Sequence, residues 1–571
     1  MFLGEWCRRH SRKSVWKKLN ADLEPYHWDD RKKLYMDYKY LEEFHEKLLI
    51  SLSDKLNELH SVKYSQQYWR ILIGPWLKYF TEILFDRWFM LQQVIEQGKI
   101  DSCRIYERAP ELLIPKDMAG FNKLYVEDDW NEAIYGQLIK ILWGERVLVE
   151  NVSFQKYDNL SYEKYINFFL HGWKKCLKRL ISSVIYTVNK LTTRDDDFFL
   201  ISSYLPLNTE FQLQLKLGQF PKLWFSMPFT LDVKPDIQKR QWKLDLGTYE
   251  DAFSKIACQM IPKHIPTAYL EGYGELADKV NRLAWPKKPK AIFTSNAYSA
   301  DDLFKCWAAG KVENKVPIVI GQHGGNFGMT PFASHEEHQI KIADRWLSWG
   351  WQDTKRKKIV PIGNLKTNSH KVKHDPKGDV LMVTMALPRY SYYLYSVPIA
   401  GQWLHYFKDQ KRFLKALPNE LYKRVLLRLY HQDYGWDQME RWRDVMPDVR
   451  MDNGNKKFRQ VLGSSRIFIG TYNATTYLET LAWNIPTIVY WDNKYWELKD
   501  EVKPFFEMLK NAKIFHESPE EAAQHLINIW DDVDYWWKNE KVQKARKDFC
   551  KFFSTRNNDL INDIAYILRQ Q

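Results

Sequence analysis

The segment from Arg466 to Asp492, RIFIGTYNATTYLETLAWNIPTIVYWD, constrains the fold more than any other stretch of the chain. Arg466 to Gly470 is an apolar run long enough for a buried strand and too short for a helix. Gly470 ends it. Thr471, Asn473, Thr475 and Thr476 follow, residue types that cap helices and hydrogen-bond phosphates. A helix is expected from about Thr475 to Trp483, with unpaired N–H groups and a partial positive charge at its first turn. Asn484 and Pro486 close it, and Pro486 to Tyr490 begins the next buried strand. A hydroxyl-capped helix starting just past the carboxyl end of a parallel strand is a ready anion site. Glu479 lies one turn further in, where a carboxylate reaches a ribose diol.

Any α/β repeat contains such turns, so the order of the residues matters. Gly-Thr at the strand end, a polar turn, a Glu on the helix and an Ala-x-x-x-Pro exit resemble the donor domain of nucleotide-sugar transferases built from two Rossmann domains, the GT-B type.

At 571 residues the chain exceeds one ordinary core, so two or more domains are expected. Its 25 Trp and 33 Tyr suit surfaces that are apolar on one side and wet on the other, such as sugar platforms, although most should simply fill cores. The net charge of +14 favours anionic partners: nucleotides, sugar acids or phospholipid headgroups. The basic clusters at 356–358 and 371–373 are short, and no arginine-rich arm, zinc-finger spacing or RRM signature occurs, so no nucleic-acid partner is expected. The six cysteines are scattered, as reduced cytoplasmic thiols are. Arg8, Arg9, Arg12 and Lys13 break any signal-peptide run, and no stretch is long enough to span a bilayer. The expectation is a cytoplasmic protein that works peripherally at the inner face of the cell membrane.

Met1 to Trp6 reads as a short first strand. Residues from about 27 to 285 then read as largely helical. One helix starts at Asp29-Asp30, a second covers about 64–97 with a break at Gly74-Pro75, a third starts at Asp128, and a fourth runs from Ser161 to Leu191. Phe198 to Leu205 is a strand ended by Pro206. From Lys290 strands and helices alternate, which implies a parallel sheet. The fold class is therefore α/β, with two Rossmann-like domains and a large helical insertion in the first. The first domain is placed at 1–365, a linker at 366–378, the donor domain at 379–535 and a helical tail at 536–571.

Candidate chemistry follows from the strand ends, where such sheets collect functional groups. Gln322, His323, Gly324, Gly325 and Asn326 follow one of them. The glycines let the backbone approach a ligand closely, and His323 is placed for a general base. Glu336 and Glu337, in the run SHEEH, are further candidates for a base or nucleophile. His27 and Asp29 are placed on the acceptor side. In the second domain Arg389, Arg428 and His431 join Thr471, Asn473, Thr475, Thr476 and Glu479 at one mouth. Arg389 fits a phosphate bidentately, while Arg428, inside a strand, fits a structural cation as well. No metal or other cofactor is expected, because a helix dipole and an arginine neutralise phosphate as Mg²⁺ does elsewhere.

The set FLGEWC, YHWDDR, DDWN, GQHGGNFG, LSWGW, PIGN, HQDYGW and GTYNATTYLETLAWNIPT resembles a family of surface-polysaccharide transferases first described from leptospiral O-antigen clusters, from Phe2 to about Phe553. The resemblance implies a bacterial cytoplasmic transferase of O-antigen or capsule assembly. The second domain is also similar, more loosely, to GT-B enzymes that use CMP-activated sugar acids, with His431, Thr475 and Thr476 at their motif positions. Their usual His-Pro pair is absent, since Gln432 follows His431, so UDP-, GDP- and dTDP-sugars stay open. The expected function is glycosyl transfer from a nucleotide-sugar to a lipid-linked or oligosaccharide glycan acceptor. A CDP-alditol phosphotransferase on the same scaffold and a non-catalytic nucleotide- or glycan-binding assembly protein are the alternatives.

Overall fold

The computed structural model describes the chain outside residues 144–147, 154–182, 227–228, 230, 248–250, 368–371, 455 and 571. Most of the helix expected from Ser161, and part of the expected linker, lie outside the described residues. Two parallel sheets organise the rest, after a small parallel pair, β1 (Ser102–Glu107) and β2 (Leu148–Ser153), in the helical region.

The first sheet runs in chain order: β3 (Phe199–Ile201), β4 (Ile292–Thr294), β5 (Ile318–Gly321), β6 (Arg345–Ser348) and β7 (Ile359–Pro361). Its short apolar strands, β3, β4 and β5 buried throughout, are what a sheet covered on both faces requires. The second sheet comprises β8 (Asp379–Val383), β9 (Val425–Arg428), β10 (Arg450–Asp452), β11 (Ser465–Gly470), β12 (Thr487–Tyr490) and β13 (Phe515–His516). Its spatial order is β10-β9-β8-β11-β12-β13, all parallel, so the chain reverses direction across the sheet between β8 and β11. In a doubly wound sheet that reversal opens a crevice beyond the strand ends.

Two expectations need correction. Residues 1–6 add no strand to the first sheet. Phe2 forms an isolated bridge with Leu23, and Glu5–Cys7 is a 3-10 turn whose Trp6 packs against Tyr26 and Tyr390. A local apolar run without a register partner cannot make a strand, and burial of the indole sets the conformation instead. The sheet begins at β3, so much of the helical segment precedes it, and further helices lie between β3 and β4. Gly74-Pro75 does not break its helix either, because Gln66–Gln97 is continuous. Gly74 serves close approach: a Cβ there would stand 2.8 Å from the His338 ring.

The tail crosses back. The helix Leu560–Arg569 buries Leu560, Ile564 and Leu568, one face at helical spacing, against Leu200, Phe293, Val319 and Leu347 of the first sheet. Where it crosses, Thr555 donates its N–H to the Trp349 carbonyl and accepts from the N–H of Asn364. Among the described residues no helix is long and apolar enough to cross a membrane.

Candidate functional site

A cavity of about 580 Å³ lies between the two sheets, past the carboxyl ends of β5, β8 and β11. The loop after β5 contributes His323, Gly325, Asn326 and Phe327, and the helix Ser334–Ile342 contributes His335. Met385, Ala386 and Leu387 follow β8, and Asn473, Ala474 and Thr475 follow β11. Tyrosine is the commonest residue type in the wall, with Tyr79, Tyr125, Tyr392, Tyr393, Tyr395, Tyr430, Tyr434 and Tyr472. No Lys, Arg, Asp or Glu is among the described lining residues.

The two domains meet on this wall at the bridge between Ala333 and Tyr395 and at a hydrogen bond between the two strand-end loops. Gly325 donates its N–H to Thr475 Oγ1 at 2.8 Å. The approach requires glycine at 324, where φ is +144° and a Cβ would lie 2.3 Å from the same oxygen. Gln322 does not reach the cavity. It is a buried tether whose Oε1 accepts from the Trp349 N–H at 2.9 Å and Trp351 Nε1 at 3.1 Å, which fixes the loop's base.

At the second-domain corner the helix Thr475–Ala482 starts at Ala474 with no side-chain cap, contrary to the hydroxyl cap expected. Thr471 faces inward, donating to the Val383 carbonyl and bonded to Tyr406 at 2.6 Å. Thr476 bonds the Tyr472 hydroxyl and is not on the wall. The first-turn N–H groups are therefore left to whatever occupies the cavity. Asn473 is 1% exposed; its Oδ1 accepts from Tyr477 at 2.9 Å, while Nδ2 is buried without a partner. Asn326, 5% exposed, also holds an unpartnered Nδ2. Both residues line the cavity, so each domain holds one orphaned carboxamide donor beside the same space. Buried donors left unmade cost about 1–3 kcal/mol each, a cost that a ligand acceptor removes.

His323 has an unpartnered Nδ1, and a backbone group of Ser295 holds its ring. Burial, then His335 and Lys366, push its pKa well below the ordinary imidazole value, so it is neutral at neutral pH. His335 is held between the Tyr79 hydroxyl, 3.3 Å from Nδ1, and the Tyr298 hydroxyl, 3.1 Å from Nε2. Burial and Lys78 bring it down to about 4. Lys366 lies 4.6 Å from the Tyr204 ring, which is itself 5.7 Å from the imidazole of His323. Glu479 sits 3.9 Å from Lys366 and off the wall, so it faces the interdomain connection rather than a ribose. Burial raises its carboxyl, and Lys366 opposes that shift.

The remaining expected residues are spent elsewhere. Arg389 is buried against the Trp6 carbonyl and Asp128, so it is not available to a phosphate. Arg428 pairs with Asp452 and donates to the carbonyls of Gly454 and Lys456, the structural alternative. His431 is exposed beside Tyr430 and off the wall. Glu336 is buried and accepts from the Gly328 N–H at 2.8 Å, and Glu337 pairs with Arg356 at 2.7 Å. His27 is buried against Asp86, and Asp29 accepts from Gln402. The tyrosine wall and His335 went unforeseen. The run Tyr390-Ser-Tyr-Tyr-Leu-Tyr395, in the segment between β8 and β9, was the available signal. Helix N–H groups, carboxamides and phenols offer hydrogen bonds to an anionic or polyhydroxylated ligand without a fixed countercharge.

A family model described as LIC12162 family transferase matches residues 1–568. No curated protein matches the chain. Among solved structures, a UDP-N-acetylglucosamine 2-epimerase from Rickettsia bellii is 12% identical at a TM-score of 0.32, covering 52% of this chain and 78% of its own. MurG of Acinetobacter baumannii is 9% identical at 0.29, covering 53% and 78%. WaaG, a glycosyltransferase involved in lipopolysaccharide biosynthesis, is 9% identical at 0.27, covering 53% and 96%.

Proposed function

The chain belongs to the LIC12162 family of transferases, and on that premise we propose that it transfers a glycosyl group from a nucleotide-activated donor to a hydroxyl of a lipid-linked or oligosaccharide acceptor, in surface-polysaccharide assembly. The observation that carries this reading is the pair of orphaned carboxamide donors on Asn326 and Asn473, residues that line one tyrosine-rich cavity from two domains. The donor's phosphate lies on the uncapped first turn of Thr475–Ala482, with Asn473 Nδ2 beside it. The acceptor oxygen attacks the anomeric carbon, and its proton passes to His323 Nδ1. The anomeric C–O bond to phosphate breaks, and its electron pair leaves with the nucleotide. Donors aimed at that departing oxygen stabilise the charge as it develops. The phenol wall offers faces and hydroxyls to sugar rings.

The test incubates the full chain with UDP-, GDP-, dTDP- and CMP-linked sugars and a CDP-alditol, with a glycolipid acceptor, and reads the nucleotide released. Acceptor-dependent release with sugar on the product is expected. Release only from the CDP-alditol would replace glycosyl with phospho-alditol transfer. Binding of nucleotide without turnover of any donor would reduce the protein to a binding module.

A further inference from the structure

A second cavity, of about 600 Å³, opens in the helical region between the helices Asp128–Leu142 and Ala252–His264 and the chain following the 3-10 turn Gln238–Arg240. The helix Gln66–Gln97 separates it from the cleft: Tyr79 lines the cleft, whereas the neighbouring Phe80 packs 5.2 Å from the His264 ring. No carboxylate is among the described lining residues, and Lys243 and Lys263 stand exposed at the rim. Arg240, also in the wall, is spent on Glu271 and on the carbonyls of Pro262 and Ile265. The excess positive charge therefore comes from the two lysines.

Two atoms of the wall lack partners. Trp242 Nε1 is a buried donor, and His264, 2% exposed, has an unpartnered Nδ1. His264 Nε2 is 2.7 Å from Gln137 Oε1, and a backbone group of Leu113 also bears on the ring. Gln137 and Gln259 add carboxamides. An indole beside amides is saccharide-recognising chemistry, since ring C–H faces stack on it and hydroxyls pair with the amides. The lysines add a preference for negative charge.

We propose that this cavity binds an acidic saccharide, a sugar chain bearing carboxylate or phosphate groups, independently of the transferase cleft. A chain held one helix away from the reacting centre stays at high effective concentration between turnovers.

The experiment titrates the full chain with tetragalacturonate, and with maltotetraose and inorganic phosphate as controls, by saturation-transfer NMR. Tetragalacturonate is expected to bind and the neutral tetramer to bind at least tenfold more weakly. W242A and Lys263→Glu should each lose at least tenfold, while nucleotide stabilisation of the cleft is unchanged. Trp242 is half-buried and Lys263 is exposed; a thermal unfolding scan checks that both variants fold. Equal binding of maltotetraose, unchanged affinity in both variants, or no binding overturns the proposal. Displacement by phosphate at the same concentration as tetragalacturonate also overturns it, because the site would then read charge alone. None of these outcomes bears on donor turnover in the cleft.

Discussion

The loop after β5 and the corner after β11 occupy equivalent places, each just beyond the carboxyl end of a parallel strand, yet they contribute different chemistry. The loop gives two glycines, an imidazole and a carboxamide; the corner gives an uncapped helix start and a carboxamide. Topology accounts for the difference. The first sheet runs in chain order and has no crevice of its own, whereas the second reverses between β8 and β11 and opens one. In the proposed reaction the second domain holds the donor and the first acts on what is held.

The largest effect that would break this division is on His323. His323→Ala should lower kcat by about 10²–10⁴-fold, the range for a general base, while the thermal shift produced by nucleotide is retained. Equal losses in both would place His323 in binding. Because burial depresses its pKa, the basic form persists as pH falls, and the acid limb of kcat/KM in the native enzyme should lie below the ordinary imidazole value. Next in size is Asn473→Asp, which keeps the acceptor for Tyr477 and replaces the free donor with a carboxylate. Nucleotide affinity should fall at least tenfold, since a bond to a charged group is worth about 1.5–3 kcal/mol. An unchanged melting-temperature shift with nucleotide would remove the phosphate from the corner.

Gly324→Ala sharpens the comparison at the point of contact. A Cβ at φ +144° against Thr475 should cost about 1–3 kcal/mol in a denaturant titration. The smallest effect concerns Glu82, buried under the tyrosine run, where it accepts from Ser334 Oγ and the Leu394 N–H. Burial pushes its pKa up to about 8. The folded form therefore holds a proton that the unfolded chain releases near pH ~4.3. Stability from this group is full below that pH and is lost as pH rises through about 8. Glu82→Gln should flatten the decline of the urea midpoint between pH 5 and 8; a slope identical to the parent's would contradict the assignment.

What could be read from sequence was local. The strand, turn and helix at 466–482 follow from a short apolar run, a glycine and a polar turn, and the loop at 322–326 from a strand end followed by paired glycines. What could not be read depends on partners far along the chain. Arg389 and Arg428 sit where phosphate ligands would, and only Asp128 and Asp452 decide otherwise. Tyr392, Tyr393 and Tyr395 became a wall because Glu82, 312 positions from Leu394, anchors their segment. Glu336 and Glu337 looked like a reactive pair, but the Gly328 amide and Arg356 engage them. The start of the first sheet was misplaced because six apolar-rich residues carry no information about which strand they would pair with.

The crossing of the C-terminal helix onto the first sheet has a counterpart at the other end of the chain. Arg31 grips Glu497 and the carbonyl of Val397, and Trp6 engages Arg389. Each lobe is thus completed by a segment lent from the opposite terminus. Severing the polypeptide between the lobes would yield one fragment with a greasy floor laid bare and another with an unanswered guanidinium, so neither is a module that can be transplanted alone.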